Sequence, residues 1–344
     1  MNSGKITSLM LVLTRACNLD CTYCYEGGWH HGSPMGVDTA MKALEMVASQ
    51  KTPFHVQLTG GEPLLAADLL CAILDRIRKE GWPATTAVQT NGVLLNRDCA
   101  RVFKAHGTAV GISVDGLPGI QEKLRGQSAA TYRAMGILDR EQVPFSITTV
   151  LTSLNTSELS RLAMALHSFP MASALGLDLL VQKGSARQGN GVFPPDYDTL
   201  HYGVSRLLET IDILNTQRKR PLIFREKELL LKALKRGKPA PYCQVSTGSS
   251  LAVTPEGELY PCTQTMGDPA FLLGTLDHPF PGKSVLSECR LADESECKGC
   301  ELQGRCPGDC PSRLFYNGDD ASGLICTLYR TIYDYLMNKG KIAS

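Results

Sequence analysis

No block of like charge runs through this chain. Its 35 Lys and Arg against 34 Asp and Glu leave a formal net charge of +1 over 344 residues. A nucleic-acid partner held by phosphate contacts needs a basic face, so none is expected. Long apolar runs are also lacking. The one nearest the start, Leu9 to Leu13, falls far short of the ~20 residues that span a bilayer and of a signal-peptide core. It leads straight into Arg15 and a cysteine cluster. Neither a membrane nor an export route is predicted, and the chain reads as cytoplasmic. Internal repeats and low-complexity tracts are absent as well. What remains is an ordinary globular composition, 43% apolar and 20% charged, with one anomaly. There are 13 cysteines, and in a reducing compartment clustered cysteines more often bind metal than pair with each other. Three stand near the start, at 17, 21 and 24, and seven in the C-terminal third, at 243, 262, 297, 300, 306, 310 and 326. Cys71, Cys99 and Cys289 are left over.

Up to about residue 182 short apolar runs alternate with helical patterns. Strands are predicted at 8–13, 54–59, 84–89, 109–114, 145–151 and 175–182, and helices at 37–50, 65–80, 97–106, 128–141 and 156–168. Strands separated by helices of this length imply right-handed crossovers and a parallel sheet. The expected fold class is therefore α/β, a partial (β/α)6 barrel over 1–182 with its chemistry at the C-terminal strand ends. A loop follows at 183–195, then helices at 196–214 and 224–236, which bridge to residue 240. From 241 to 344 glycine, proline and cysteine dominate ahead of a C-terminal helix. Bound metal clusters would replace the missing hydrophobic core in such a segment.

Directly after the first strand comes Thr14-Arg15-Ala16-Cys17-Asn18-Leu19-Asp20-Cys21-Thr22-Tyr23-Cys24. Three thiolates spaced CxxxCxxC can hold three irons of a cubane and leave the fourth open. A zinc site would close with a fourth Cys or His, and only His30 and His31 stand near enough in sequence. The loop resembles that of the radical S-adenosylmethionine (SAM) superfamily, with Tyr23 at its usual aromatic position. The resemblance implies that the cluster and SAM together supply a 5′-deoxyadenosyl radical, while the protein supplies position. Thr59-Gly60-Gly61-Glu62-Pro63 is similar to the family's GGEP loop. There Gly60 and Gly61 would permit close backbone approach and Glu62 would accept from the methionyl ammonium. Gln89 with Asn91, and Ser113 with Asp115, stand at the ends of strands three and four, where the family holds the SAM carboxylate and ribose. Arg125 and Arg133 are both candidate carboxylate partners, with Arg133 taken into the cofactor set. Asp178 and Gln182 on the sixth strand are expected to line the substrate pocket.

The second cysteine set reads Cys243-x13-Gly257-x4-Cys262, Cys297-x2-Cys300-x5-Cys306-x3-Cys310, then Cys326. This resembles the seven-cysteine SPASM domain, whose enzymes mostly modify ribosomally made peptides or protein side chains. The resemblance implies two auxiliary 4Fe–4S clusters. Cys297, Cys300, Cys306 and Cys326 would hold the outer one, and Cys243, Cys262 and Cys310 the inner. Some relatives add a cysteine six residues before the first; here that position is Gly237. The inner cluster would then have an open iron suited to a substrate thiolate, unless Cys289 or water fills it. Cys71 and Cys99 read as core packing. Relatives that form formylglycine carry an Asp after the cysteine of Tyr-Pro-Cys, but here Thr263 follows Cys262. A peptide maturase forming a C–S or C–C crosslink is therefore the preferred expectation. Formylglycine formation, a radical SAM oxidoreductase of small molecules and a plain iron–sulfur carrier are the alternatives. A low-potential donor such as flavodoxin or ferredoxin would supply electrons. With the first strand starting by residue 8, the expectation is that a separate leader-binding protein presents the peptide, or that the substrate lacks a conventional leader, or that it is a small molecule.

Overall fold

A computed structural model describes residues 5–27, 31–188, 191–237, 242–279, 286, 297–318 and 322–342. Its first strand, β1 (Ser8–Val12), buries Leu9 and Leu11 completely. Helix α1 (Val37–Ala48) crosses over to β2 (Phe54–Thr59), which pairs with β1 in parallel from Ser8↔His55 to Val12↔Thr59. The same step repeats through α2 (Ala67–Glu80), β3 (Ala84–Thr90), α3 (Arg97–His106) and β4 (Ala109–Ser113). The crossover helices form because their apolar residues recur on one face. In α2, Leu69, Leu70, Ile73, Leu74 and Ile77 are buried, and Gly81 ends the helix in the left-handed conformation, at φ 61°.

Between β4 and β5 (Phe145–Leu151) lie two helices, α4 (Pro118–Leu124) and α5 (Ser128–Arg140). Only the second is visible in the sequence pattern. Helix α6 (Leu159–His167) leads to β6 (Ala172–Leu179), which starts and ends three residues before its predicted range. Next come α7 (Tyr197–Asn215), a two-residue strand β7 (Ile223–Phe224) and α8 (Arg225–Arg236).

The segment expected to be irregular adds two strands, β8 (Ser250–Val253) and β9 (Leu259–Tyr260). β8 pairs in parallel with β1, and β9 antiparallel with β8. Helices α9 (Pro311–Asn317) and α10 (Ser322–Asn338) close the chain, with α10 packed on α7 and α8. Among the described residues the sheet has nine strands, in the order β7-β6-β5-β4-β3-β2-β1-β8-β9. It is an open sheet, as a partial barrel requires, and every pairing from β7 through β1 to β8 is parallel. The C-terminal ends of β1 to β6 therefore share one rim, and the cysteine-rich segment enters the same sheet beside β1. No described helix is long and apolar enough to cross a membrane.

Candidate active site

The loop that carries Cys17, Cys21 and Cys24 leaves the end of β1 and is held by its neighbours more than by itself. Gly61 N–H donates to Thr14 O and Glu62 N–H to Ala16 O, both at 2.9 Å. These bonds bring backbone onto backbone. A Cβ on Gly61 would stand 2.3 Å from Ala16 O, and one on Gly60 would stand 2.4 Å from Thr14 O. The two glycines are thus needed for contact with the cysteine loop itself. Glu62 is fully buried. Its carboxylate accepts from Leu64 N–H (3.0 Å), Thr90 Oγ1 (2.6 Å) and Asn91 N–H (2.8 Å). Burial pushes its pKa up to about 7, against the pull of these three donors. Here Glu62 pins the Gly-Gly loop to the end of β3.

Asn91 stands beside the first cysteine. Its Nδ2 donates to Asn18 Oδ1 at 2.8 Å and reaches Cys17 Sγ at 3.9 Å. Gln89 Nε2 donates to Ser113 Oγ at 3.0 Å, joining the ends of β3 and β4. Asp115 is almost wholly buried. It accepts from the Tyr23 hydroxyl, from Arg125 Nε at 2.7 Å and from Val150 N–H at 2.9 Å. Arg125 also lies over the Tyr23 ring, 5.2 Å from its centre. Helix α4 delivers this arginine, and its last residue, Leu124, accepts from Thr22 N–H at 2.9 Å. Arg133 lies on the exposed face of α5. Of the two candidate arginines, the structure brings Arg125 to the cysteine loop and leaves Arg133 outside.

A third wall, missed in the sequence, joins the two cysteine-rich regions. The turn after β6 packs on the cysteine loop, where Ser185 N–H donates to Cys24 O at 2.8 Å. Lys183, next to it, donates from Nζ to Gln264 O (2.8 Å) and Met266 O (2.9 Å), just past Cys262. Tyr25 is hydrogen-bonded to the Thr263 side chain. Burial raises the Glu26 pKa to about 7, with Lys183 and Arg15 opposing. Three segments far apart in sequence thus meet at Tyr25, Glu26, Lys183 and Thr263. The one sequence signal was a Lys-Gly pair closing the sixth apolar run.

Cys243, Cys262 and Cys310 line one cavity of about 520 Å³, together with Asp178, Glu226, Tyr242, Asp309 and Arg313. Asp178 is paired with Arg225 at 2.7 Å. Gln182 is tied through its backbone N–H to Asn317 Oδ1, at 2.9 Å, and does not line this cavity. Gly237 ends α8 in the left-handed conformation, at φ 63°. Cys289 and His30 lie outside the described residues.

The thiols show what they could hold. Burial lifts Cys21 and Cys310 to about 12, and Cys262 and Cys306 to about 11. After burial, the thiols that raise each one come from its own group. Cys24 and Cys17 act on Cys21, Cys262 and Cys243 on Cys310, and Cys326, Cys297 and Cys300 on Cys306. Buried thiols crowded in this way resist ionisation until a soft metal takes the thiolates. Among the described residues no three His, Cys, Asp or Glu side chains are close enough to share a single ion. A four-iron cluster takes one thiolate per iron and spreads its ligands around itself, which suits these groups. Cys71 is raised by burial and then by Cys99, so these two neighbour each other apart from the three groups.

Residues 11–166 match the family model of the Radical SAM superfamily. An uncharacterized protein of Methanocaldococcus jannaschii is 30% identical over 267 residues, 75% of this chain and 85% of the relative. This chain belongs to the radical SAM superfamily. Membership brings SAM and a 4Fe–4S cluster, for which the loop at the end of β1 has the three-thiolate set. This radical SAM protein is also 25% identical to the serine-type anaerobic sulfatase-maturating enzyme of Klebsiella aerogenes, over 91% of this chain and 81% of that one. Among solved structures, anSMEcpe with bound AdoMet and Cp18Cys peptide superposes with a TM-score of 0.77 at 21% identity, covering 96% of this chain and 97% of that one. Streptococcus suis SuiB bound to its precursor peptide SuiA superposes with a TM-score of 0.68 at 14% identity, covering 93% and 75%. The shared fold thus runs through the cysteine-rich C-terminal region, where the SPASM resemblance lies.

Proposed function

We propose that this radical SAM enzyme oxidises a peptide or protein side chain by two electrons, closing a C–S or C–C bond. Cys17, Cys21 and Cys24 would hold the cluster that cleaves SAM, with Gly60, Gly61, Asn91 and Ser113 around the cofactor. Tyr23, Glu62 and Asp115 would act by fixing the loop. Two auxiliary 4Fe–4S clusters would sit in the inner set, Cys243, Cys262 and Cys310, and the outer set, Cys297, Cys300, Cys306 and Cys326. SAM and its cluster supply the group that removes one hydrogen from the substrate. A cluster held by Cys243, Cys262 and Cys310 would supply the acceptor for the substrate's second electron, and a proton would leave to solvent as the new bond closes. The net change is the loss of two hydrogens.

The observation that carries this reading is the wall of Tyr25, Glu26, Lys183 and Thr263. It packs the Cys17–Cys24 loop against the Cys262 loop, so a substrate held at that junction would lie between the hydrogen acceptor and the electron acceptor. The peptides bound in the anSMEcpe and SuiB structures support a peptide as the occupant. Formylglycine formation is the second reading, favoured by the likeness to the sulfatase-maturating enzyme along most of the chain. Against it, Thr263 has no useful basicity. Asp268, the nearest downstream carboxylate, already accepts from the Tyr316 hydroxyl at 2.9 Å.

The test is anaerobic incubation of reconstituted enzyme with SAM, a reductant and a short Cys-rich or aromatic-rich peptide encoded beside its gene. The expected product is lighter by two hydrogens, formed with 5′-deoxyadenosine and inert to a hydrazide. Hydrazide labelling would establish an aldehyde and the second reading. Unchanged peptide with continuing SAM cleavage would overturn both in favour of a small-molecule substrate.

A further inference from the structure

Arg313 heads the largest fully buried side chains and is only 1% exposed. It lies on α9, three residues after Cys310, and forms part of the cavity wall shared with Cys243, Cys262 and Cys310. Helix α10 lines the same cavity through Ile325 and Leu328, and between these two in sequence stands Cys326 of the outer set, which acts on the Arg313 charge. Its guanidinium is paired with Asp309, which is also buried and accepts from Cys310 N–H at 2.7 Å. A cation taken so far out of water carries a large desolvation cost, and burial lowers its pKa to about 10. Clusters held by these two thiolate sets would offset that cost, since four-iron clusters carrying three or four thiolates are net negative.

We propose that Arg313 sets the reduction potentials of both auxiliary clusters, its fixed charge stabilising the reduced, more negative state of each. Net charge and nearby donors are what tune such clusters, and in the weakly screened interior a single charge acts on both. The inner cluster is thereby a better acceptor for the electron the substrate gives up. The inference rests on the two auxiliary clusters of the proposed function.

The experiment is an anaerobic redox titration of the reconstituted holoenzyme, followed by electron paramagnetic resonance, with iron counted for each variant. Arg313→Gln is expected to move both auxiliary midpoints to more negative potentials, and Asp309→Asn to move them the other way. Arg313→Lys keeps them close to the parent values. The midpoint of the Cys17, Cys21 and Cys24 cluster stays in place throughout, as an internal reference. The double variant Asp309→Asn/Arg313→Gln leaves no buried orphan charge, and its midpoints are expected between those of the single variants. Unmoved auxiliary midpoints in variants with full iron would overturn the proposal. So would loss of iron in every variant including Arg313→Lys, which would make the residue purely structural. Iron for one cluster only in the parent enzyme would instead overturn the auxiliary-cluster reading, so the two failures are distinct.

Discussion

Gly61→Ala is a one-methyl test of how the cysteine loop is held. The new Cβ would stand 2.3 Å from Ala16 O and 2.6 Å from Arg15 O, while ordinary contact begins at 3.4 Å. Both neighbours are backbone, so no rotamer change relieves the clash. The cysteine loop or the Gly-Gly loop must retreat by about 1 Å. That retreat weakens the Gly61-to-Thr14 and Glu62-to-Ala16 hydrogen bonds, worth about 1 kcal/mol each. With the residual crowding the expected cost is roughly 2–4 kcal/mol of stability. Function should fall further, because a misplacement of about 1 Å costs on the order of 100-fold in rate.

The assay is 5′-deoxyadenosine formation by anaerobically reconstituted enzyme, beside urea unfolding of the same sample. Gly81→Ala is the control. Gly81 is also at positive φ, 61°, but has nothing within 4 Å of a built Cβ. It should lose about 1 kcal/mol from backbone strain and keep its SAM cleavage rate. A Gly61→Ala variant that cleaves SAM at the parental rate would refute the argument that this backbone contact positions the cluster loop.

Arg125→Met should cost about 3–5 kcal/mol, because it leaves the buried Asp115 carboxylate without its cation. Urea unfolding checks it, and a loss below about 1 kcal/mol would show that Tyr23 and Val150 suffice. Glu62 is raised from 4.5 to about 7 by burial. The stability it contributes is therefore complete below pH 4.5 and lost as pH rises through about 7, by up to about 3 kcal/mol. Glu62→Gln should flatten that fall, and an unchanged difference in unfolding midpoint between pH 5 and pH 8 would contradict it. Cys310→Ser should remove about four irons from the reconstituted enzyme and Cys71→Ser none. Equal iron in both would sink the inner-cluster assignment.

The legible parts of this molecule are those whose information is local. The CxxxCxxC spacing, the Gly-Gly-Glu-Pro turn and six apolar runs separated by helices can all be read within a few residues. β8 escaped because Ser250–Val253 holds only three consecutive apolar residues, Leu251 to Val253, too few to show a period, and pairing with β1 makes it a strand. α4 escaped because seven residues containing Pro118 and Gly119 read as a turn. β6 appeared to run on because Leu180 and Val181 continue its apolar run. The chain turns there because Asn317, from α9, donates to Leu180 O and accepts from Gln182 N–H. That contact spans more than a hundred residues, and nothing near Leu180 announces it. The wall of Tyr25, Lys183 and Thr263 was hidden for the same reason.

The polar residues at the strand ends show how such a loop can be both irregular and precise. Glu62, Asp115 and Asn91 look from sequence like groups offered to a ligand. In the fold Glu62 and Asp115 point their carboxylates at neighbouring backbone and side-chain donors, and Asn91 bridges Asn18 to the first cysteine. Each bond ties the cysteine loop or its support to a different strand, β3, β4 or β5. The loop has no regular ladder of its own, so its geometry is inherited from the sheet through these ties. A cluster placed on it would be positioned by parallel strands that are among the most deeply buried parts of the chain. Strand-end carboxylates can therefore matter to SAM chemistry without touching SAM. Their substitution should lower the rate by loosening the loop, which conservative exchange at the same position can rescue and added cofactor cannot.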